Sequence, residues 1–368
     1  MSVLFAAVGG FLGAGKTTTL TALARALEAR GRRVGIITND QGEDLVDTLV
    51  AASSSSNGVA AEVTGGCFCC RFEDLLTAAT RCVEEHGADV ILAEAVGSCT
   101  DLQATVVRPL RRLYGDRFAV APLVTVVDPA RFAALAAAGD VDLAYLFDRQ
   151  VEEADVVGLN KADLGGGGPV REALGALHPG KRVVGYSART GAGVEELADV
   201  LTQAPGRAAD RDMAVDYDRY AAAEAELAWL NHAVEVRAAG AAGFESARWA
   251  EVLLGELAGR GWVVGHIKVL LTEDRGEASR GGMSGSGITK ASAVGDGSPV
   301  SVDTDAGPMH RARARINARV AAPPAHLDAA IRDALAAADM ATAATSSADH
   351  PPASFAPSYP QPVHRLPA

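Results

Sequence analysis

For its first two hundred residues the chain alternates short apolar runs with longer stretches whose apolar residues recur at helical spacing. Residues 3–9, 33–38, 61–64, 90–93, 119–127, 156–159 and 182–186 are almost wholly apolar inside, as strands covered on both faces must be. The stretches 16–30, 72–86, 129–138 and 193–201 carry the 3.6-residue period of amphipathic helices. Strand and helix in regular succession predict an α/β fold with a mostly parallel sheet and helices on both faces. Around residues 203–212 the text turns to Pro, Gly, Arg and Asp, and the rhythm changes. Strand-like runs at 227–236, 265–271, 288–294 and 310–320, with helical runs at 246–259 and 324–339, predict a smaller α+β domain. The expected organisation is a domain over 1–205, a second over 213–340, and a tail, 341–368. That tail is rich in Ala, Ser and Pro and holds too little large apolar surface to offset its ordering entropy, so it is expected to be disordered.

Composition narrows the classes of function. Of 368 residues, 48% are hydrophobic and 22% charged, which is ordinary globular usage. A net charge of −12 disfavours phosphate backbones and anionic lipid, so neither nucleic acid nor membrane is expected as a partner. No apolar run approaches the roughly 18 residues of a spanning helix, and the start of the chain lacks a cationic secretory leader, so a cytoplasmic protein is expected. The five cysteines are odd in number and three fall within residues 67–70, which points to metal or redox chemistry in a reducing compartment.

Between the first strand and the first helix lies Gly10-Phe11-Leu12-Gly13-Ala14-Gly15-Lys16-Thr17, a G-x-x-x-x-G-K-[ST] loop in its proper context. Gly10, Gly13, Ala14 and Gly15 let backbone N–H groups converge on a β-phosphate. Lys16 would reach the β/γ oxygens, Thr17 would give Mg²⁺ a hydroxyl ligand, and Thr18 continues the helix start. After the strand 156–159 comes Asn160-Lys161-Ala162-Asp163, of the form N-K-x-D. A carboxylate at Asp163 can accept from guanine N1–H and N2–H₂, whereas adenine would set a lone pair against it. Asn160 would bond the N7 side of the base, and the Lys161 stem would lie over the ring. Ser187 and Ala188 begin a loop that would meet the guanine carbonyl. Glu94 ends an apolar strand three residues before Gly97, the arrangement of a γ-phosphate sensor. Glu94 would hold the Mg²⁺ water shell or orient the attacking water, in competition with Asp40.

Cys67, Cys69 and Cys70 sit between a short strand and a helix, where three thiols can converge on one soft cation. A further ligand must come from elsewhere, with Asp40, Glu43 and His86 as candidates. Cys82 and Cys99 stand alone and read as packing residues.

Together these motifs resemble the CobW-like GTPase family, the zinc-regulated GTPase metallochaperones, over about residues 1–200. The resemblance implies a SIMIBI-type P-loop NTPase domain that hydrolyses GTP to GDP with Mg²⁺, a transition metal (zinc, or else cobalt or nickel) at C-x-C-C, and delivery of that metal to a client metalloprotein. It aligns Asn39-Asp40-Gln41-Gly42-Glu43 with the family's N-E-F-G-E segment, keeping Glu43 as a metal ligand, while Asp40 and Gln41 depart from it. Glu94-Ala95-Val96-Gly97-Ser98-Cys99 likewise departs from the usual E-T-S-G-L-A. Two other readings compete: a P-loop kinase or phosphotransferase acting on a small acceptor, and a metal sensor with vestigial nucleotide binding. Whether two copies of the chain pair is left open.

Overall fold

In the computed structural model, residues 2–39, 59–137, 142–203, 213–274, 287–294 and 300–367 are described. Eight apolar segments become strands: β1 (Val3–Gly9), β2 (Val34–Asn39), β3 (Ala60–Val63), β4 (Val90–Glu94), β5 (Phe118–Val120), β6 (Val124–Val127), β7 (Val156–Leu159) and β8 (Arg182–Gly185). They form a parallel sheet in the order β3-β2-β4-β1-β6-β7-β8, with β5 also against β1. The run 119–127, expected as one strand, is two. Pro122 has no N–H to give a ladder, and the chain breaks there, so that β5 pairs with Val3–Phe5 and β6 with Val8 and Gly9.

Helices α1 (Lys16–Ala29), α2 (Phe72–His86), α3 (Arg108–Leu113), α4 (Pro129–Ala137), α5 (Asp142–Glu153), α6 (Gly167–Leu177), α7 (Val194–Gln203) and α8 (Tyr217–Ala225) accompany the sheet. Leu20, Leu23 and Leu27 of α1 and Leu197 and Leu201 of α7 bury against Ala6, Val8, Leu92, Val124 and Val126. Each such leucine withdrawn from water contributes about 1.5–3 kcal/mol. Over β2, a Cβ on Gly35 would stand 2.9 Å from the Cβ of Cys82, so that glycine lets α2 settle on the strand. Cys82 is therefore a packing residue, and burial pushes its thiol up. Helices α3, α5, α6 and α8 were not foreseen. In α6 the start is hidden by the glycine run, where Gly165 and Gly166 turn with φ of 82° and 75° immediately before the helix.

The second unit is antiparallel. Strands β9 (Ala228–Ala238), β11 (Val264–Glu273), β12 (Ile288–Ala293), β13 (Ser301–Thr304), β15 (Arg311–Val320) and β16 (Ala344–Ser347) stand in the order β13-β12-β11-β15-β9-β16. The short strands β10 (Phe244–Glu245) and β14 (Pro308–Met309) pair apart from them. Burial alternates over the first half of β15 and is continuous over its last five residues, and helices α9 (Ser246–Ala258) and α10 (Pro324–Thr342) contribute Trp249, Leu253, Leu254, Leu327 and Ile331 to one core.

Two features differ from the expected organisation. The division falls after Glu224, with residues from Ser358 onward belonging to the first unit. The tail is ordered by main-chain bonds where apolar surface is scarce. β16 adds to β9, Phe355 and Trp229 exchange backbone hydrogen bonds of 2.8 and 2.9 Å, and the Ser346 N–H donates to Asp339 at 2.6 Å. Backbone groups that pair with an edge strand need no large side chains to hold them.

Candidate functional site

The carboxyl ends of β1, β2 and β4 lie side by side, the edge at which open α/β sheets take their ligands. From β1 the chain enters the loop Gly10–Lys16. Gly10 has φ of 129°, and a Cβ there would come within 2.3 Å of the Val126 carbonyl. Gly15 has φ of 92°, and its Cβ would lie 2.5 Å from Asn160 Nδ2. Both positions therefore demand glycine. No side chain caps α1, so its first N–H groups point into the loop as an anion cradle. Lys16 is 6% exposed and its Nζ donates to the Phe11 carbonyl at 3.4 Å, across the loop it would serve.

The register Val8↔Glu94 brings the end of β4 alongside the phosphate loop, where Thr17 Oγ1 donates to Glu94 Oε1 at 3.1 Å. A hydroxyl and a carboxylate at this spacing form a hard-oxygen set suited to Mg²⁺. Three residues on, Gly97 abuts the same loop; a Cβ there would be 2.6 Å from Leu12 Cδ2 and 3.0 Å from the Leu12 nitrogen. Gln150 of α5, buried, pins this segment by donating from Nε2 to the carbonyls of Gly97 and Cys99, both at 2.9 Å. Sequence reasoning missed Gln150, because a single glutamine in an unforeseen helix carries no motif.

At the opposite end, β7 and β8 bring Asn160, Asp163, Ser187 and Ala188 together. Asn160 is 3% exposed, donates to the Ala14 carbonyl at 2.9 Å and accepts from the Ala188 N–H at 3.0 Å, so its amide ties both base-side loops to the phosphate loop. Lys161 takes φ of 60° and its Nζ meets Asp128 Oδ2 at 2.6 Å, a partner not foreseen. A hydrogen bond from Ser187, then one from Arg189, holds the Asp163 carboxyl below its usual range, keeping it ionised as an acceptor.

The thiols lie on the loop between β3 and α2. Asn39, the last residue of β2, builds that loop. Its Nδ2 donates to the carbonyls of Val63 (2.9 Å) and Gly66 (2.8 Å), and its Oδ1 accepts from the Phe68 N–H (2.8 Å). The Cys67, Cys69 and Cys70 sulfurs stand 2.7, 3.4 and 3.7 Å apart pairwise, with Cys67 and Cys69 buried. These three ligand atoms gather within 4.8 Å of one another, a donor set suited to a soft cation. Asp40 and Glu43 lie outside the described residues. His86 closes α2, roughly 20 Å along the helix at 1.5 Å per residue, and is not brought to the cluster.

Cys99, read from the sequence as packing, is buried, at 1% exposed. Burial pushes this thiol up, but the hydrogen bonds from Cys67 and Cys69 outweigh it and draw it down to about 6. Hydrogen bonding to Cys67, Cys70 and Cys99, then burial, pushes Cys69 well up. Nearby, Glu224 accepts a short hydrogen bond from Ser98, and burial pushes its carboxyl up to about 8. The end of the chain also borders the cluster: the Gln361 N–H points to Cys70 Sγ at 3.2 Å, and the Val363 N–H donates to the Cys69 carbonyl at 2.8 Å.

Residues 4–178 match the family described as CobW/HypB/UreG, nucleotide-binding domain. Among solved structures, HypB from Helicobacter pylori in complex with nickel is similar at 17% identity over 55% of this chain and 86% of its own, with a TM-score of 0.40. The Zn(II)-bound YjiA GTPase from E. coli is similar at 14% identity over 93% and 99%, with a TM-score of 0.35. The signal recognition particle receptor FtsY from Elizabethkingia anophelis in complex with GDP is similar at 17% identity over 55% and 64%, with a TM-score of 0.38. No helix among the described residues is long and apolar enough to cross a membrane.

Proposed function

We propose, from the premise that this chain belongs to the CobW-like GTPase family through its nucleotide-binding domain, that it is a GTP-hydrolysing carrier of a thiophilic divalent metal. It holds the metal at Cys67, Cys69 and Cys70 in one nucleotide state and yields it to a client metalloprotein in the other. The observation that carries the reading is Asn39. The residue that leads from β2 into the candidate switch at Asp40–Glu43 makes three hydrogen bonds that shape the cysteine loop, on the sheet edge that also bears the phosphate loop. A change at that strand end on nucleotide binding has a direct route to the thiols.

The residues fit each role by their chemistry. Gly10, Gly13, Ala14, Gly15, Lys16, Thr17 and Thr18 would receive the phosphates, with Lys16 neutralising charge that develops on the transferred group. Thr17 and Glu94 would hold Mg²⁺, which when bound draws charge from the β- and γ-oxygens. The Gly97 N–H would meet the γ-phosphate, and Glu94 or Asp40 would orient the attacking water. Asn160, Lys161, Asp163, Ser187 and Ala188 would select guanine, with Asp163 providing the discrimination. Zinc is the first metal to test, with cobalt and nickel beside it.

The decisive experiment titrates zinc into the full chain, loaded with a non-hydrolysable GTP analogue or with GDP, against a chromophoric chelator. Coupling predicts affinities that differ by about 5- to 150-fold. Equal affinities would remove the carrier mechanism. Phosphate release without any acceptor separates the hydrolase from a phosphotransferase, and its expected intrinsic rate is on the order of 10⁻⁴–10⁻³ per second, as for P-loop GTPases without an arginine finger.

A further inference from the structure

We propose that the end of the chain, residues 361–366, is a removable cover on the metal site that sets how fast the cation enters and leaves. The proposal rests on reading the C-x-C-C cluster as a metal site and adds the device that governs exchange there. Of the three thiols, Cys67 and Cys69 are buried and Cys70 is half-buried, so Cys70 is the sulfur an incoming group meets first. The segment lies on that side of the cluster. The Gln361 N–H points to Cys70 Sγ at 3.2 Å, and the Val363 N–H donates to the Cys69 carbonyl at 2.8 Å. The His364 ring stands edge-on to Phe72, the first residue of α2, at 4.9 Å.

Several features let this segment detach. Residues 361–366 belong to no helix or strand, so no ladder has to break. Val363 is 49% exposed, and its departure uncovers little apolar surface. His364 Nε2 is buried without a hydrogen-bond partner among the described residues, a penalty that opening relieves. Pro360 and Pro362 flank Gln361, and their fixed φ narrows the conformations open to the released segment, so re-docking loses little backbone entropy. Phe355 is bonded to Trp229 through both backbone groups, and a released end therefore stays tethered and returns by an intramolecular step.

The hold on the segment comes from its far end, at the stretch that follows β4. Arg365 Nε donates to Asp101 Oδ2 at 2.8 Å, and its Nη2 donates to the Met213 carbonyl at 3.1 Å. The Leu366 N–H donates to the Ala104 carbonyl at 2.9 Å, and the Leu366 carbonyl accepts from Arg108 Nη1 at 3.1 Å. Asp101 is 2% exposed, and a buried carboxylate stripped of its donors would bar release. The Tyr217 hydroxyl, which donates to the same oxygen at 2.8 Å, leaves Asp101 a partner when Arg365 departs. Zinc can expand its shell from four to five ligands, so with the cover away a recipient's donor atom can add before a sulfur leaves. The cation passes as the divalent ion with no change of oxidation state, and the vacated thiolates take up protons from water.

The test uses the full chain. Arg365→Ala, checked for folding by circular dichroism, removes a hydrogen bond to a charged group and should raise the uncovered fraction by roughly ten- to a hundredfold. In the metal-free protein, labelling of Cys70 by a thiol reagent, read by peptide mass spectrometry, should speed up by that factor. In stopped-flow zinc uptake, and in release to a chromophoric chelator, both rates should rise together while their ratio, the affinity, stays put. Arg365→Lys keeps the charge and should restore most of the slow exchange. Val363→Pro deletes the N–H that meets Cys69 and should act as Arg365→Ala does. Unchanged labelling, or faster labelling with unchanged zinc rates, overturns the proposal. A release rate that rises alone, with weaker affinity, makes the segment part of the metal's hold and overturns it too. If the wild type takes up no zinc, the metal reading fails and the cover's role falls with it; zinc exchange at one rate in wild type and variants leaves that reading intact and removes the cover alone.

Discussion

Single side chains at this sheet edge carry consequences out of proportion to their size. Asp163, held ionised by Ser187 and Arg189, is the group expected to tell guanine from adenine. Asp163→Ala removes a charged acceptor worth about 1.5–3 kcal/mol, so GDP affinity should fall by roughly ten- to a hundredfold while ADP affinity stays put. Competitive titration of the two nucleotides checks this, and an unchanged GDP/ADP ratio would remove Asp163 from base selection. Asn39 is legible in the sequence as the first residue of the Asn39–Glu43 segment, but its three bonds to the cysteine loop depend on where β3 ends, which no local pattern gives. Asn39→Ala should cost about 1–3 kcal/mol of stability and weaken metal binding, measured by chemical denaturation and chelator competition. A third residue prediction concerns pH. Burial, then the Asp101 carboxylate, pushes the Glu153 carboxyl from 4.5 up to about 8. The folded state therefore holds this proton more tightly than the unfolded chain, so the contribution is full below about 4.5 and is lost as pH rises toward 8. Glu153→Gln should flatten the fall of the melting temperature across that window; an equally steep profile in the variant would place the effect elsewhere.

Elements were readable in proportion to how strongly they are patterned. β1, β7 and α2 match their expected bounds because an apolar run closed by glycine or polar residues, or a long amphipathic period, leaves few alternatives. Helix α5 was missed although Leu143, Leu146, Phe147, Gln150 and Val151 fall on one buried face, since its buried glutamine and many acids dilute the pattern. Where β5 and β6 replaced one strand, a single proline outweighed nine residues of apolar text. In the second unit, α9 docks through Trp249, 0% exposed, whose Nε1 donates to Asp339 of α10 at 2.9 Å. Trp249→Ala should cost that unit about 3–5 kcal/mol. Urea unfolding followed by hydrogen exchange in β11 and β15 reads the loss, and protection equal to wild type there would show that the helix is not what secures the sheet.

At the scale of the whole chain, the C-terminal segment rejoins the first unit beside the thiols. Leu366 N–H donates to the Ala104 carbonyl at 2.9 Å, Arg365 meets Asp101 at 2.8 Å, and the His364 ring stands edge-on to Phe72 at 4.9 Å. A chain ending at Pro357 should therefore expose Cys70 to a thiol reagent, raising its labelling rate, with a lower melting temperature; wild-type labelling would show that the segment does not shield the cluster. The amino-acid sequence by itself determined the parallel α/β class, the glycine-rich loop before α1, the N-K-x-D segment and the three clustered thiols, because each is written in contiguous residues whose spacing is fixed by the backbone. Only the tertiary structure decided the place of Asn39, Gln150 and the last residues of the chain. Those contacts join segments tens to hundreds of residues apart, and their partners are chosen by strand order and helix packing, which local periodicity does not encode.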